Sequence, residues 1–298
     1  MSLKNEIIEI LEENKGTPIS GEIIAKKLSV SRSAIWKNIN ILKKEGHKIE
    51  AVSNKGYTLN TVSDVLTKEG IILKLGDCQN NINLLVFDTV DSTNLQAKKC
   101  GFENAVDKSV FVANCQTNGR GRKGRSFFSP SDTGIYMSIL LRPEDFSRDT
   151  IKVTIAAAVA VVRAIKTVTM QDASIKWVND IFLNGRKICG ILTEAVSDME
   201  TGSIDFLVVG VGVNVSTAQF PKEIENIAGA VSEKQISRND LTAEIIKEFL
   251  KLYKDLSSPK ILEEYKKSSL VFTKHIKYEK NGIKYIAKDV DINDYGNL

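Results

Sequence analysis

The sequence predicts an α+β protein. A winged helix-turn-helix opens the chain, a mixed, mostly antiparallel β-sheet with helices on one side follows, and a pair of strands ends it. Three observations carry this expectation. Apolar residues recur at helical spacing through Leu42 and then give way to two short strand-like runs. Apolar strands bounded by turn signals such as Asn184-Gly185 fill the middle of the chain around one alanine-rich helix. Between two of those strands lies Gly119-Arg120-Gly121-Arg122-Lys123-Gly124-Arg125, with three glycines, four cations and no acid.

Each element has its own signal. Leu3, Ile7, Ile10 and Leu11 give a first helix, closed at Asn14-Lys15-Gly16. Pro18 and Ser20 open a second, with Ile23, Ile24 and Leu28 on its apolar side. Ser29-Val30 is a tight turn, and Ser31 caps a third helix that buries Ile35, Ile39 and Leu42. Its outer face offers Arg32, Ser33, Lys37 and Asn40, the hydrogen-bonding and basic groups that a major-groove helix needs. Ser31, Arg32, Ser33, Lys37 and Asn40 are therefore the candidate DNA contacts. Ile49 to Val52, a turn at Asn54-Lys55-Gly56 and Tyr57-Thr58-Leu59 form the wing. The expected organisation is a DNA-binding head over 1–62, a linker helix over 63–80, a larger domain over 81–268 and a C-terminal β segment over 269–298.

In the larger domain, Leu84 to Phe87 is a strand running into Asp91-Ser92-Thr93-Asn94, where Asp91 and Ser92 suit a helix N-cap. Capping alone accounts for these residues. The alternative, that the Ser92 and Thr93 hydroxyls also face a ligand, stays open. Val110 to Ala113 and Ile135 to Leu141 are strands flanking the glycine–cation loop. That loop fits G-x-G-x-x-G and, with Arg125 in place of lysine, a Walker A pattern, but no helix follows it as either would require. Its four cations ask instead for an anion among them, and its glycines for a mobile backbone that closes over a phosphate-bearing ligand. Thr150 to Ile165 is a core helix. Lys176, between Ile175 and Trp177, is expected half-buried with an anionic partner, either Asp180 or a ligand. Asp205 to Val215 is a strand whose Gly210-Val211-Gly212-Val213-Asn214 implies close backbone packing. Asp240 is expected to cap a helix reaching about Tyr253, and Lys274 to Tyr278 and Lys284 to Ala287 are the last strands.

Composition narrows the function classes. The 298 residues carry a net charge of only +4, although residues 1–60 hold ten Lys/Arg against seven Asp/Glu. Two histidines, His47 and His275, and four scattered cysteines without C-x-x-C exclude a zinc cluster. No signal peptide and no membrane-spanning run is evident, so a reduced, cytoplasmic protein is expected.

Together, the winged head, Asp91-Ser92-Thr93-Asn94, Gln116 with the Gly119 to Arg125 loop, Phe128-Ser129-Pro130, Lys176-Trp177-Val178-Asn179-Asp180, Lys187-Ile188-Cys189-Gly190 and Gly210-Val211-Gly212-Val213-Asn214 resemble the bifunctional biotin protein ligases that double as biotin operon repressors. The resemblance spans essentially the whole chain. It implies a class II synthetase-like ligase domain and a C-terminal SH3-like domain, of which 269–298 would be an incomplete part. It also implies ATP with Mg²⁺ as cofactor and biotin as substrate. Biotin and ATP would form biotinyl-5′-AMP, and biotin would then pass to a lysine of a carboxylase's biotin carboxyl carrier domain. Operator DNA and a homodimer formed with biotinyl-AMP bound would be further partners, with no membrane.

By the same resemblance, Ser92, Thr93, Asn94 and Gln116 bind biotin, with Arg120, Gly121 and Arg122 closing over it. Lys176 meets the biotin carboxylate and α-phosphate, and Lys176, Arg120 and Arg122 are catalytic. Arg122, Arg125, Phe127, Lys187 and Asn214 face ATP, and no residue is assigned to a metal. Phe127 stands where many members have tryptophan, and Val178 where proline is usual. The competing readings are a small-molecule-sensing regulator without ligase activity, a lipoate- or octanoate-type enzyme, and a ligase whose head is only structural.

Overall fold

The computed structural model describes residues 2–142, 150–197, 200, 203–234, 236–270, 276–280, 283–287, 291–293 and 296–298. The head consists of α1 (Leu3–Glu13), α2 (Gly21–Lys27), α3 (Arg32–Lys44) and the wing strands β1 (Ile49–Val52) and β2 (Gly56–Leu59). The caps are those the sequence names. Ser20 Oγ accepts from Glu22 N and Ser31 Oγ from Ala34 N, each at 3.2 Å. Ser29, in the turn, takes the left-handed conformation (φ 54°). Ile7, Leu11, Ile24, Ile35, Ile39, Leu42 and Leu59 make a core separate from that of the rest of the chain.

The expected linker helix is shorter than 63–80. An extended stretch leads into α4 (Lys68–Leu75), followed by a 3₁₀ turn over Gly76–Asn81. The extended part is clamped by the N-terminus of α7 (Arg238–Tyr253). Arg238 is 1% exposed. Its backbone N and Nε donate to the Asp64 carboxylate at 2.7 and 3.0 Å and its Nη2 to the Asp64 carbonyl at 2.6 Å. Asn239 holds Thr67 N and the Val65 carbonyl at 3.1 and 3.0 Å. The cap of α7 is Ser237, whose Oγ accepts from Asp240 N at 3.2 Å, and not Asp240. Asp240 falls in the first turn, where a carboxylate still complements the helix dipole.

The central sheet runs β3 (Asn83–Val90), β4 (Ser109–Gln116), β5 (Gly134–Leu141), β9 (Ile204–Asn214), β8 (Arg186–Ser197), β7 (Asp180–Leu183), β6 (Ser174–Lys176). Among the described strands only β3 and β4 pair in parallel. The Asn184-Gly185 turn has both residues at positive φ (51° and 76°), as a tight β7–β8 hairpin requires. Helices lie on both faces of the sheet, not on one. α6 (Thr150–Thr169), α7 and α8 (Pro259–Lys267) cover one face with the larger core. α5 (Thr93–Phe102) covers part of the other through Ala97, Phe111, Leu140, Phe206 and Val208. The strands show why: Val110 and Val112 join one core while Phe111 joins the other, as strand alternation dictates. Such continuous apolar runs mark strands buried on both faces.

After α8, β10 (Ile276–Lys280) and β11 (Ile283–Ala287) form an antiparallel hairpin of their own. Lys274, His275, Asp294 and Tyr295 lie outside the described residues. Ile292 is buried in the main core, and the Gly296 carbonyl accepts from Trp177 Nε1 at 3.2 Å.

Candidate active site

Register places the site. One row of paired residues crosses the sheet on the α5 face: Ala113, Tyr136, Gly212, Gly190, Asp180 and Lys176. The row beside it runs Phe111, Ser138, Gly210 and Leu192. Glycines at 190, 210 and 212 leave the floor without side chains. A Cβ on Gly212 would stand 2.6 Å from the Phe127 ring, and one on Gly210 2.1 Å from Asn94 Oδ1. The hollow is closed by the glycine–cation loop, a tight finger in which Gly121 N donates to the Arg125 carbonyl (2.7 Å) and Phe127 N to the Gly119 carbonyl (2.9 Å). Lys123 sits at its tip with φ 56°.

A cavity of about 340 Å³ results. Its walls include Ser92, Thr93, Asn94, Gln116, Arg120, Gly121, Arg122, Arg125, Phe127 and Lys187, ten of the twelve residues assigned to biotin, ATP and catalysis. Its two ends differ in chemistry. At one end stand the neutral polar groups. Gln116 Oε1 accepts from Thr93 N at 2.8 Å and lies 3.2 Å from Thr93 Oγ1, and Gln116 Nε2 donates to Ser129 Oγ at 2.9 Å. Ser92 begins α5 as its N-cap residue, yet its side chain makes no capping bond, so capping does not explain its hydroxyl. At the other end, beside Asn179 and Asp180, are Arg122 and Lys187, and the lining also holds Arg120, Lys123 and Arg125, with Asp180 its one acid among the described residues. Asp180 Oδ1 pairs with Lys187 Nζ at 2.7 Å, and Arg122 Nη1 donates to Asn179 Oδ1 at 2.9 Å.

Two assigned residues stand elsewhere. Lys176 is exposed rather than half-buried, with Nζ 5.6 Å from the centre of the Phe182 ring. Of the two anions expected for it, Asp180 or a ligand, Asp180 is taken by Lys187. Its position at the end of the floor row nonetheless puts it one strand beyond Asp180, about 4.8 Å. Asn214 is 5% exposed and off the cavity wall. Its Nδ2 donates to the Gly229 carbonyl at 3.1 Å and its Oδ1 has no partner among the described residues.

Sequence reasoning gave no role to Asn179, Ser138 or Glu194. Asn179 was legible as part of the lysine–tryptophan motif, whereas the other two lie in ordinary strand sequence. In the head, Arg32, Ser33 and Lys37 are exposed on α3, Asn40 is half-buried, and Trp36, 61% exposed, lies beside them without having been foreseen.

Residues 4–58 match a helix-turn-helix domain family, and residues 86–214 match the biotin/lipoate A/B protein ligase family. The bifunctional ligase/repressor BirA of Bacillus subtilis is 36% identical over 259 residues, covering 85% of this chain and 79% of that protein. The chain belongs to the family of these bifunctional ligase/repressors. The BirA of Escherichia coli is 29% identical and shares the family's span, covering 77% of this chain and 70% of the relative. Among solved structures, the biotin protein ligase of Aquifex aeolicus in complex with biotin and ATP superposes with a TM-score of 0.62 at 27% identity, over 72% of this chain and 89% of that one.

Proposed function

We propose that this chain is an ATP-dependent biotin protein ligase and a biotin-responsive repressor, and that the cavity beneath the glycine–cation loop is where it forms biotinyl-5′-AMP. The observation that carries this reading is the division of that cavity into a neutral hydrogen-bonding end and a cationic end on one glycine floor. A cyclic urea suits the first and a triphosphate the second. The biotin carboxylate oxygen attacks the α-phosphorus of ATP, pyrophosphate leaves, and a mixed anhydride remains. The amine of an acceptor lysine then attacks its carbonyl, and AMP leaves. The first step needs little proton transfer and much charge neutralisation, which Arg120, Arg122, Arg125 and Lys187 supply. Lys176 joins them by leaving the Phe182 ring. Its stem is long enough to reach back along the floor row.

Mg²⁺ would add further neutralisation when bound. Among the described residues no group of three acidic, histidine or cysteine side chains could hold a metal. The ion would come with the nucleotide phosphates, as Mg²⁺ commonly does. The acceptor is the biotin carboxyl carrier domain of a carboxylase. Operator DNA is read by Ser31, Arg32, Ser33, Lys37 and Asn40, and the homodimer forms with biotinyl-AMP bound. No helix among the described residues is long and apolar enough to cross a membrane, and a cytoplasmic site of action belongs to the same proposal.

The test is biotin-dependent ATP–pyrophosphate exchange, with lipoate as control and Lys176→Ala beside the native chain. Exchange with biotin alone, reduced about a hundredfold or more in the variant, is the expected result for loss of a cation that acts on transition-state charge. Ligand binding without exchange would favour the sensor reading instead.

A further inference from the structure

The neutral end of the cavity rests on side chains that do not line it. Ser138 is 0% exposed, in the middle of β5. Its Oγ lies 2.6 Å from Asn94 Oδ1 and 2.8 Å from Thr93 Oγ1. On the other side of Asn94, Nδ2 donates to Glu194 Oε2 at 2.8 Å and to the Leu192 carbonyl at 3.3 Å. Glu194 Oε1 in turn accepts from Lys98 Nζ at 2.6 Å.

These contacts have only one consistent set of protons. An ionised carboxylate accepts and cannot donate. With Lys98 beside it, Glu194 therefore forces the NH₂ side of the Asn94 amide toward itself, because a flipped amide would set oxygen against oxygen. Asn94 Oδ1 then faces Ser138 and needs a proton, and the single hydroxyl proton of Ser138 meets it. Ser138 is left as an acceptor toward Thr93. The Thr93 proton goes to Ser138, because without it two hydroxyl oxygens 2.8 Å apart would share none, and Thr93 Oγ1, on the cavity wall, keeps a lone pair free to accept. Polarity thus passes from an ion pair at the rim to the atoms that a ligand meets.

We propose that Ser138 and Glu194 are positioning residues that fix the donor and acceptor pattern of this end of the cavity for a cyclic urea. A urea ring has N–H groups to give to Thr93, which a dithiolane ring lacks. The inference rests on the ligase reading above and names two residues through which its substrate selection is set. Gly210 belongs to the same arrangement, because only its missing side chain lets Asn94 come within reach of Ser138.

The experiment is ATP–pyrophosphate exchange on the full chain, for wild type, Ser138→Ala and Glu194→Gln, with biotin and with desthiobiotin, which keeps the urea but has no sulfur. Ser138→Ala is expected to raise the KM for biotin about tenfold, the loss of roughly one net hydrogen bond. The KM for desthiobiotin rises by the same factor, and the KM for ATP and kcat stay within about twofold of wild type, as interactions common to ground and transition state require. A packing defect alone would move ATP and biotin together. Glu194→Gln, at a partly exposed position, shifts the biotin KM in the same direction and decides the matter if Ser138→Ala does not fold. A biotin KM unchanged in the folded variants overturns the inference and leaves the ligase intact. A wild-type chain that makes no exchange with biotin overturns the ligase reading, and the inference with it.

Discussion

Gly210 shows how narrowly single residues are chosen here. An added methyl would stand 2.1 Å from Asn94 Oδ1, inside any contact distance, and Asn94 has no slack because Ser138 and Glu194 hold both ends of its amide. Gly210→Ala is expected to reduce biotin-dependent exchange at least about tenfold through biotin KM, the shift of one misplaced polar group. Calorimetric titration with ATP alone gives the control, since under the proposed function the phosphates meet the loop cations and not Asn94. The close backbone packing at this position was legible from Gly210-Val211-Gly212, and so were the cations of the loop, from a short stretch of unusual composition, whereas Ser92, Thr93 and Gln116 were assigned only through the family resemblance. Ser138 and Glu194 were reached by neither route. They meet Asn94 across 44 and 100 residues of chain, and a lone serine or glutamate in a strand gives no local sign of such a contact. Lys176 was legible as a residue but not as a conformation: its neighbours in sequence are apolar, yet its strand ends the sheet and leaves the side chain in water.

Among elements, the winged head was the most legible. Its helices are amphipathic at fixed spacing and its caps are local. What the pattern did not reveal is the state of His47, at the end of α3. It is 5% exposed, and its Nδ1 is buried without a partner among the described residues. Burial lowers its pKa from 6.5 to about 4, with Lys15 and Lys4 adding to the effect and Glu45 opposing it. The folded head therefore keeps His47 neutral while the unfolded chain takes up a proton below pH 6.5. Stability is full above pH 6.5 and falls as the pH drops toward 4, by about 3 kcal/mol in all. Thermal melts between pH 7 and 4 should show this loss in the native chain and a flatter profile in His47→Gln. An equal slope in both would mean that other groups carry it. The sheet's second helical layer was missed for a related reason: α5 is short and weakly amphipathic, and its partners Phe111, Phe206 and Val208 alternate with residues that serve the other core.

For the whole molecule, the question is how the cavity and the head communicate. The loop is tied to the lysine–tryptophan motif through Arg122 and Asn179, and to the polar end through Phe127, Ser129 and Gln116. Two residues before Gln116 on β4, Asn114 Oδ1 accepts from Arg238 Nη1 at 2.7 Å, and Arg238 holds Asp64 ahead of α4. A continuous set of bonded groups thus runs from the cavity wall to the linker, although only a two-state element that both sites bias makes such a set a coupling. Arg122→Ala is expected to release the adenylate faster and to weaken operator binding about fivefold or more, within the usual range of coupling between sites, while the head itself is unaltered. Filter binding at fixed salt, with biotin and ATP present, measures it. Operator affinity equal to that of the native chain would disconnect the loop from the head.

The clamp at Arg238 also bears on how this protein could be shortened. A headless ligase is an obvious thing to want, and the sequence offers any bond between Leu59 and Lys68 as a place to cut. The bonds are not equivalent. Severing the chain after Asp64 strands a guanidinium that is 1% exposed, removes its close carboxylate partner and leaves only the exposed Asp132 at 3.7 Å, toward the kind of loss that costs about 3–5 kcal/mol. Severing it before Asp64 leaves the pair whole. The smallest self-sufficient ligase in this chain therefore keeps a few residues of the tether, or replaces Arg238 along with the head.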